Sequence, residues 1–275
     1  MLNIISLTIK EVIRSKATGF LLFFSIIVLS LLHFFAGFSV AEQEKFVIDI
    51  GFGATTFFTL ILSVYFSSHI VSNDLAKNRI AVILISIRRN MDYIIGRFLG
   101  LAILLALAVI LMGLVLEFSI LFHQWILVKQ QAMAVMKELD TYKVMDKHVF
   151  INFGSLVMGL WSIYLQSIII AAISMFISVC SNTNFAIVAS ILIYVVGQIY
   201  VYIVLLAFKS GIIIGYLLKC VFLFVPRIDF FNIYESIALH QPITNSYMAW
   251  ISFYAILVVI LFLILTCLRF NRREI

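Results

Sequence analysis

Apolar residues run through this chain in blocks of about twenty, separated by short polar stretches. The blocks occupy residues 18–39, 51–71, 94–120, 154–179, 185–208 and 247–268. A bilayer core of about 30 Å takes roughly 20 apolar residues of helix. The pattern therefore predicts an all-α polytopic membrane protein with six transmembrane helices. A seventh apolar run, 210–225, is shorter and contains Lys219. It is expected to be a re-entrant or interfacial outer segment before the last span, with a seventh full span as the alternative. Ahead of the first block, Leu2, Ile5, Ile9, Val12 and Ile13 recur at spacings of three and four, while Asn3, Ser6, Lys10 and Arg14 fall on the other side. That period predicts an amphipathic helix within residues 1–17 that lies in the membrane interface. Residues 18–275 then form a single transmembrane domain.

Composition agrees with this picture. The chain is 64% hydrophobic and 12% charged, whereas soluble globular domains are about 25% charged. Its net charge of +6 does not point to nucleic acid, because the basic residues gather at the ends of apolar blocks, as they do at cytoplasmic flanks. Lys10, Arg14 and Lys16 precede the first span, Lys77, Arg79, Arg88, Arg89 and Arg97 lie between the second and third, and Arg269, Arg272 and Arg273 follow the last. Six spans put all three clusters, and both termini, on the cytoplasmic side of the cytoplasmic membrane. Seven would separate the last cluster from the others. The long loop at 121–150 carries four lysines and three acids and is expected outside, with Met133, Met136, Leu139 and Tyr142 suggesting a short amphipathic helix that meets an extracytoplasmic partner or covers the mouth. Ser39-Val40-Ala41 has a faint likeness to a signal-peptide cleavage site, but the preceding apolar run is too long for one. It is read as an uncleaved first span. Cys180, Cys220 and Cys267 are odd in number and far apart, which argues against a disulfide framework or a zinc site.

The stretch SNDLAKNRIAVILISIRRNMDYIIGRFLG (72–100) interrupts the apolar pattern with five of the nineteen Lys and Arg. Asn73 or Asp74 can cap a helix there, and Arg88 and Arg89 fall near its end, where cations suit the helix dipole. Ile80, Leu84 and Ile87 give it an apolar face. Residues alone allow two readings: a docking element for a partner, or an interfacial connector whose arginines hold anionic lipid.

AEQEKFVIDIGFGATTFF (41–58), the stretch just described and VPRIDFFN (225–232) together resemble the type-2 ABC exporter permeases, most of all the NosY-like permease family. The counterparts are Asn73-Asp74, the apolar run Ile80 to Ile87, Arg88-Arg89, Gly96-Arg97-Phe98-Leu99-Gly100 at the start of span three, and the Pro226 segment. The likeness covers most of the chain in layout and is sharpest over 41–100 and 225–232. This sequence has Asp74 where the family usually has Glu, and ISIRRN (85–90) lacks the family's Pro before the Arg. The resemblance implies that 73–93 is a coupling element seated on a separate ABC ATPase subunit, with Asn73, Asp74, Lys77, Arg79, Ile80, Leu84, Arg88, Arg89 and Asp92 carrying the contact. It implies a second permease subunit, and ATP and Mg²⁺ bound in the ATPase. This chain has no GxxxxGK[ST] P-loop of its own.

Two stripes of mildly polar residues are candidates for a pathway: Thr56, Thr59, Ser63 and Ser67 in span two, and Ser190, Tyr194, Gln198 and Tyr202 in span five. The resemblance places spans two and five of facing subunits around the central path. The competing reading is that Ser and Thr bond their own backbone or join helices. Gly96/Gly100 and Gly211/Gly215 form GxxxG pairs, a pattern common by chance in so apolar a chain. Glu117, His33 and His69 lie near span ends, where they reach water. Two further function classes follow from other features. A subunit that moves no substrate and transmits ATPase motion to an outer partner would use the 121–150 loop as its actuator. A haem- or metal-handling protein would use the five histidines, but these show no HxxxH or HExxH spacing.

Overall fold

The computed structural model describes residues 2–36, 43–76, 90–137, 153–203, 225–239 and 241–271. Among them the elements are helical: α1 (Leu2–Ile13), α2 (Lys16–Ala36), α3 (Gln43–Ala76), α4 (Asn90–Lys137), α5 (Phe153–Cys180), α6 (Thr183–Gln198), a 3₁₀ turn (Asp229–Phe231), α7 (Tyr234–Ala238) and α8 (Asn245–Asn271). Four stretches are long and apolar enough to cross a membrane, Lys45–Ser72, Met91–Ile126, Phe153–Cys180 and Asn245–Asn271; α1 and α2, bent by 63° at their junction, make a fifth if taken together. The protein is thus an all-helical membrane protein with four or five candidate spans.

Three boundaries differ from the sequence expectation. Helix α6 ends at Gln198 after 16 residues, short of the span expected over 185–208, and is not among the candidate spans. Helix α4 is continuous for 48 residues, about 72 Å at 1.5 Å per residue and more than twice a bilayer core. It runs through residue 120, where the third span was expected to end, and on to Lys137, so the first half of the expected 121–150 loop is a helical extension. Backbone hydrogen bonding in a helix is internal, and residues 121–137 contain no Pro to remove a donor from it. Helix α3 likewise begins at Gln43, well before residue 51. The run 210–225 lies outside the described residues apart from Val225.

Helices α3 and α5 form the centre, and α5 also packs on α4, α6 and α8. Between apolar helices in lipid no hydrophobic force favours contact, so close packing and interhelical hydrogen bonds must hold the bundle. Both are visible. Ser63 Oγ donates to the Ser167 carbonyl at 2.7 Å and Ser178 Oγ to the Ser68 carbonyl at 2.7 Å, stitching α3 to α5 at two levels. Three glycines then close a cycle. A Cβ at Gly51 of α3 would lie 2.1 Å from Leu116 of α4, one at Gly113 of α4 would lie 2.4 Å from Leu160 of α5, and one at Gly159 of α5 would lie 2.5 Å from the ring of Phe52 on α3. Each helix of the trio thus offers one glycine to a neighbour and one large side chain to the other. Ile237 of α7 also reaches Gly159, and Ser162 Oγ donates to the Phe231 carbonyl at 2.6 Å, so the 225–239 segment sits against α5. Away from this centre, α8 turns Trp250, Phe253, Leu257 and Leu261 outward.

Replacing Gly159 by Leu forces the fully buried Phe52 ring aside, an overpacking cost of about 1–3 kcal/mol. A lowered thermal unfolding midpoint of the purified protein in detergent is the expected result, while Gly19→Leu, where an added Cβ meets nothing within 4 Å, leaves the midpoint in place.

Candidate functional site: a buried charge cluster beside residues 77–89

The last turn of α3 and the first turns of α4 bring the two ends of segment 77–89 to one point. Asp74 lies two residues before the end of α3, and Tyr93 and Arg97 lie one turn apart on α4, which places them on one face. Arg97 Nη2 donates to Asp74 Oδ2 at 2.5 Å, and the Tyr93 hydroxyl donates to the same oxygen at 2.5 Å. Arg97 and Asp74 are each only 1% exposed. Helix α1 completes the site: Arg97 Nη1 donates to Glu11 Oε2 at 2.8 Å and to Thr8 Oγ1 at 3.3 Å. Glu11, at 38% exposure, is the cluster's outlet toward solvent. The Tyr93 ring stacks on Phe270 of α8 with centroids 5.7 Å apart. Four helices that are remote in sequence therefore meet around one guanidinium.

Local sequence makes the approach possible. A Cβ at Gly100 would lie 2.7 Å from Thr8 Cβ and 3.1 Å from the Ile5 carbonyl oxygen, and one at Gly96 would lie 3.1 Å from Ile4. The Gly96/Gly100 pair is the bed on which α1 lies, and Arg97 stands between the two glycines. The face of α1 that docks is Ile4, Thr8 and Val12, all buried, whereas Ile13 is exposed. The buried stripe is thus rotated from the expected Leu2–Ile5–Ile9–Val12–Ile13 face. Thr8 can be buried because its hydroxyl is satisfied twice, by Arg97 and by its donation to the Ile4 carbonyl at 2.9 Å.

The sequence-predicted coupling residues divide accordingly. Asn73 and Asp74 are residues of α3, which runs on to Ala76. The Asp74 carboxylate is turned inward to Tyr93 and Arg97. Asp92 lies in the first turn of α4, where a carboxylate suits the positive end of the helix dipole. Lys77, Arg79, Ile80, Leu84, Arg88 and Arg89 lie outside the described residues. Glu11, Thr8 and Tyr93 were missed by sequence reasoning, and Arg97 was read as flank charge and as part of the glycine-framed entry to span three, not as a buried ion-pair partner. The usable signal was the pairing of Thr8 and Glu11, one turn apart on α1, with an arginine framed by GxxxG.

The pathway candidates are placed as follows. Thr56, Thr59, Ser63 and Ser67 are buried on α3. Thr56 Oγ1 bonds the Phe52 carbonyl, Thr59 Oγ1 the Thr55 carbonyl and Ser67 Oγ the Val64 carbonyl, while Ser63 reaches across to α5. Within this chain the stripe is a packing seam. On α6, Ser190 is buried and bonds the Ala186 carbonyl at 2.6 Å, Gln198 Nε2 meets the Tyr194 hydroxyl at 3.2 Å, and Tyr202, beyond the end of α6, is 71% exposed. Only the far end of this second stripe faces outward. In the 225–239 segment, Arg227 pairs with Asp229 at 2.7 Å and lies over the Phe230 ring.

No family model matches the chain, and no curated protein does.

Removing one partner of a buried ion pair strands the other. Arg97→Gln leaves Asp74 buried without a counter-charge and is expected to cost about 3–5 kcal/mol. Adding Asp74→Asn to that variant should recover part of the loss, with a coupling of about 0.5–3 kcal/mol, read as thermal unfolding midpoints of the four proteins in the same detergent.

Proposed function

We propose that this chain is the permease subunit of a type-2 ABC exporter. It has six spans and cytoplasmic termini, pairs with a second permease subunit, and is driven by separate ATPase subunits that bind ATP and Mg²⁺. The observation that supports this reading best is the tethering of both ends of segment 77–89 to a single buried ion pair. A segment that receives force needs ends that cannot slip, and Asp74 and Arg97 join them through a charge that lipid cannot solvate. The same guanidinium holds Glu11 of α1, so displacement of the segment reaches α1, α3 and α4 together. The chain carries no GxxxxGK[ST] motif, and in this reading hydrolysis belongs to the partner. Arg88, Arg89, Lys77 and Arg79 supply the contact to that partner, and Asp74 and Arg97 pass its motion on.

The burial of Thr56, Thr59, Ser63 and Ser67 favours a second reading, in which the subunit transmits motion across the membrane to an outer partner without moving a substrate.

The test is made on the complex carrying the tagged full chain, purified from its native membranes with its bound ATPase. Replacing Arg88 and Arg89 by Glu is expected to lower ATPase activity about 5- to 100-fold, the range of ordinary site-to-site coupling, and to leave the unfolding midpoint of the chain unchanged. Association with no ATPase, or unaltered activity in that variant, overturns the reading. Cysteine at Thr59, in a chain whose native cysteines are Ser, distinguishes the two modes. Labelling by a membrane-impermeant thiol reagent during ATP turnover is expected for transport, and persistent protection for mechanical transmission.

A further inference from the structure

The bend between α1 and α2 opens an apolar cleft of about 230 Å³, whose walls come from four helices: Val12 of α1, Leu22 of α2, Leu62 and Phe66 of α3, and Leu104 and Ala108 of α4. The one polar side chain in its wall, Thr18, is already satisfied, since its hydroxyl donates to the Val12 carbonyl at 2.5 Å. The cleft therefore offers a ligand nothing to hydrogen-bond. Gly19 also lines it, and a Cβ there would meet nothing within 4 Å, so the wall is bare where an occupant would lie. Ile13 and Leu107 stand exposed at its edge, which opens the cleft to the lipid side of the bundle. Its α4 wall begins one turn beyond Arg97, just beneath the helix that carries the charge cluster.

The rim is of opposite character. Lys10, Arg14 and Lys16 are all exposed and flank, in sequence, the cleft residues Val12, Ile13 and Thr18. The only acid nearby on this stretch, Glu11, is engaged by Arg97. Three exposed cations within a few residues of a purely apolar slot match a molecule with a negative head and a hydrocarbon tail.

We infer that this elbow is a binding site for one anionic glycerophospholipid, with an acyl chain in the cleft beneath α1 and the phosphate-bearing headgroup among Lys10, Arg14 and Lys16. A juxtamembrane basic residue contributes roughly fivefold in affinity for anionic lipid, and the cleft adds retention that a surface contact lacks. The site needs no ATPase and no second subunit, so it stands or falls separately from the proposed function.

The test is native mass spectrometry of the purified, delipidated full chain in detergent, titrated with phosphatidylglycerol or with phosphatidylcholine of identical acyl chains. One phosphatidylglycerol is expected to bind at least tenfold more tightly than phosphatidylcholine. Arg14→Gln with Lys16→Gln, at two exposed positions, should remove most of that preference while the chain remains folded. Gly19→Phe, which fills open space, should abolish retention of either lipid. Equal binding of the two lipids, or phosphatidylglycerol binding that survives Gly19→Phe, overturns the site. So does a change in oligomeric state on Gly19→Phe with lipid binding intact, which would assign the cleft to another copy of the chain.

Discussion

A guanidinium that is 1% exposed in a membrane protein must find its counter-charge inside the protein. That requirement organises one end of this structure. Arg97 lies on α4, and the carboxylates that answer it lie on α3 and α1, so the bundle holds only if those three helices converge. Tyr93 donates to the same Asp74 oxygen as Arg97 and brings α8 into contact through Phe270. Two carboxylates share one guanidinium, and the second, Glu11, remains half in solvent. The cluster therefore has a fixed half, Asp74–Arg97–Tyr93, and a yielding half, Arg97–Glu11–Thr8. Strain entering near residues 77–89 would meet the fixed half first and be relieved through α1.

The rest of the bundle relies on shape. The Gly51–Leu116, Gly113–Leu160 and Gly159–Phe52 contacts form a cycle in which no pair of α3, α4 and α5 can separate without opening the other two. Hydroxyls fill the spaces between: Ser63 and Ser178 bind carbonyls across the α3–α5 seam, whereas Thr55, Thr56 and Thr59 bind their own helix. A polar stripe in a membrane helix is consistent with a pathway and with a seam alike, because both require small polar side chains at a helical period. Within this chain the α3 stripe is buried. The outward apolar face of α8, by contrast, has no partner among the described residues and is suited to lipid or to another subunit.

Much of the architecture was legible because it depends on local pattern. Blocks of about twenty apolar residues give membrane helices whatever their neighbours, and the 3.6-residue period of residues 2–13 gives α1. What was illegible depends on meetings between distant residues. The length of α4 was obscured because hydropathy falls after residue 120 while backbone hydrogen bonding does not. Arg97 resembled the other flank cations because nothing within a few residues of it reveals that Glu11 and Asp74 will arrive. The apolar face expected on α1 for the membrane interface, with Ile13 in it, is not the face that docks, which is Ile4, Thr8 and Val12. Only the Gly96–Gly100 bed explains why a β-branched hydroxyl, with its small volume and two hydrogen bonds, takes the buried place. The Gly96/Gly100 pair was visible from the first, but a GxxxG is informative only once the helix that lies on it is known.

The charge cluster and the elbow cleft share helix α1, and this makes them one mechanical unit. Along α1 the contacts change from Ile4 and Thr8, pressed on glycines, through Glu11, held by Arg97, to Val12 and Ile13 at the lip of a void. The helix is thus pressed on glycines toward its start, while its end pairs the buried Val12 with the exposed Ile13, with the 63° bend immediately beyond. The charge cluster and the cleft thus both bear on α1, the first through Glu11 and Thr8 and the second through Val12 and Ile13, so an occupant of the cleft would touch the same helix that Arg97 holds.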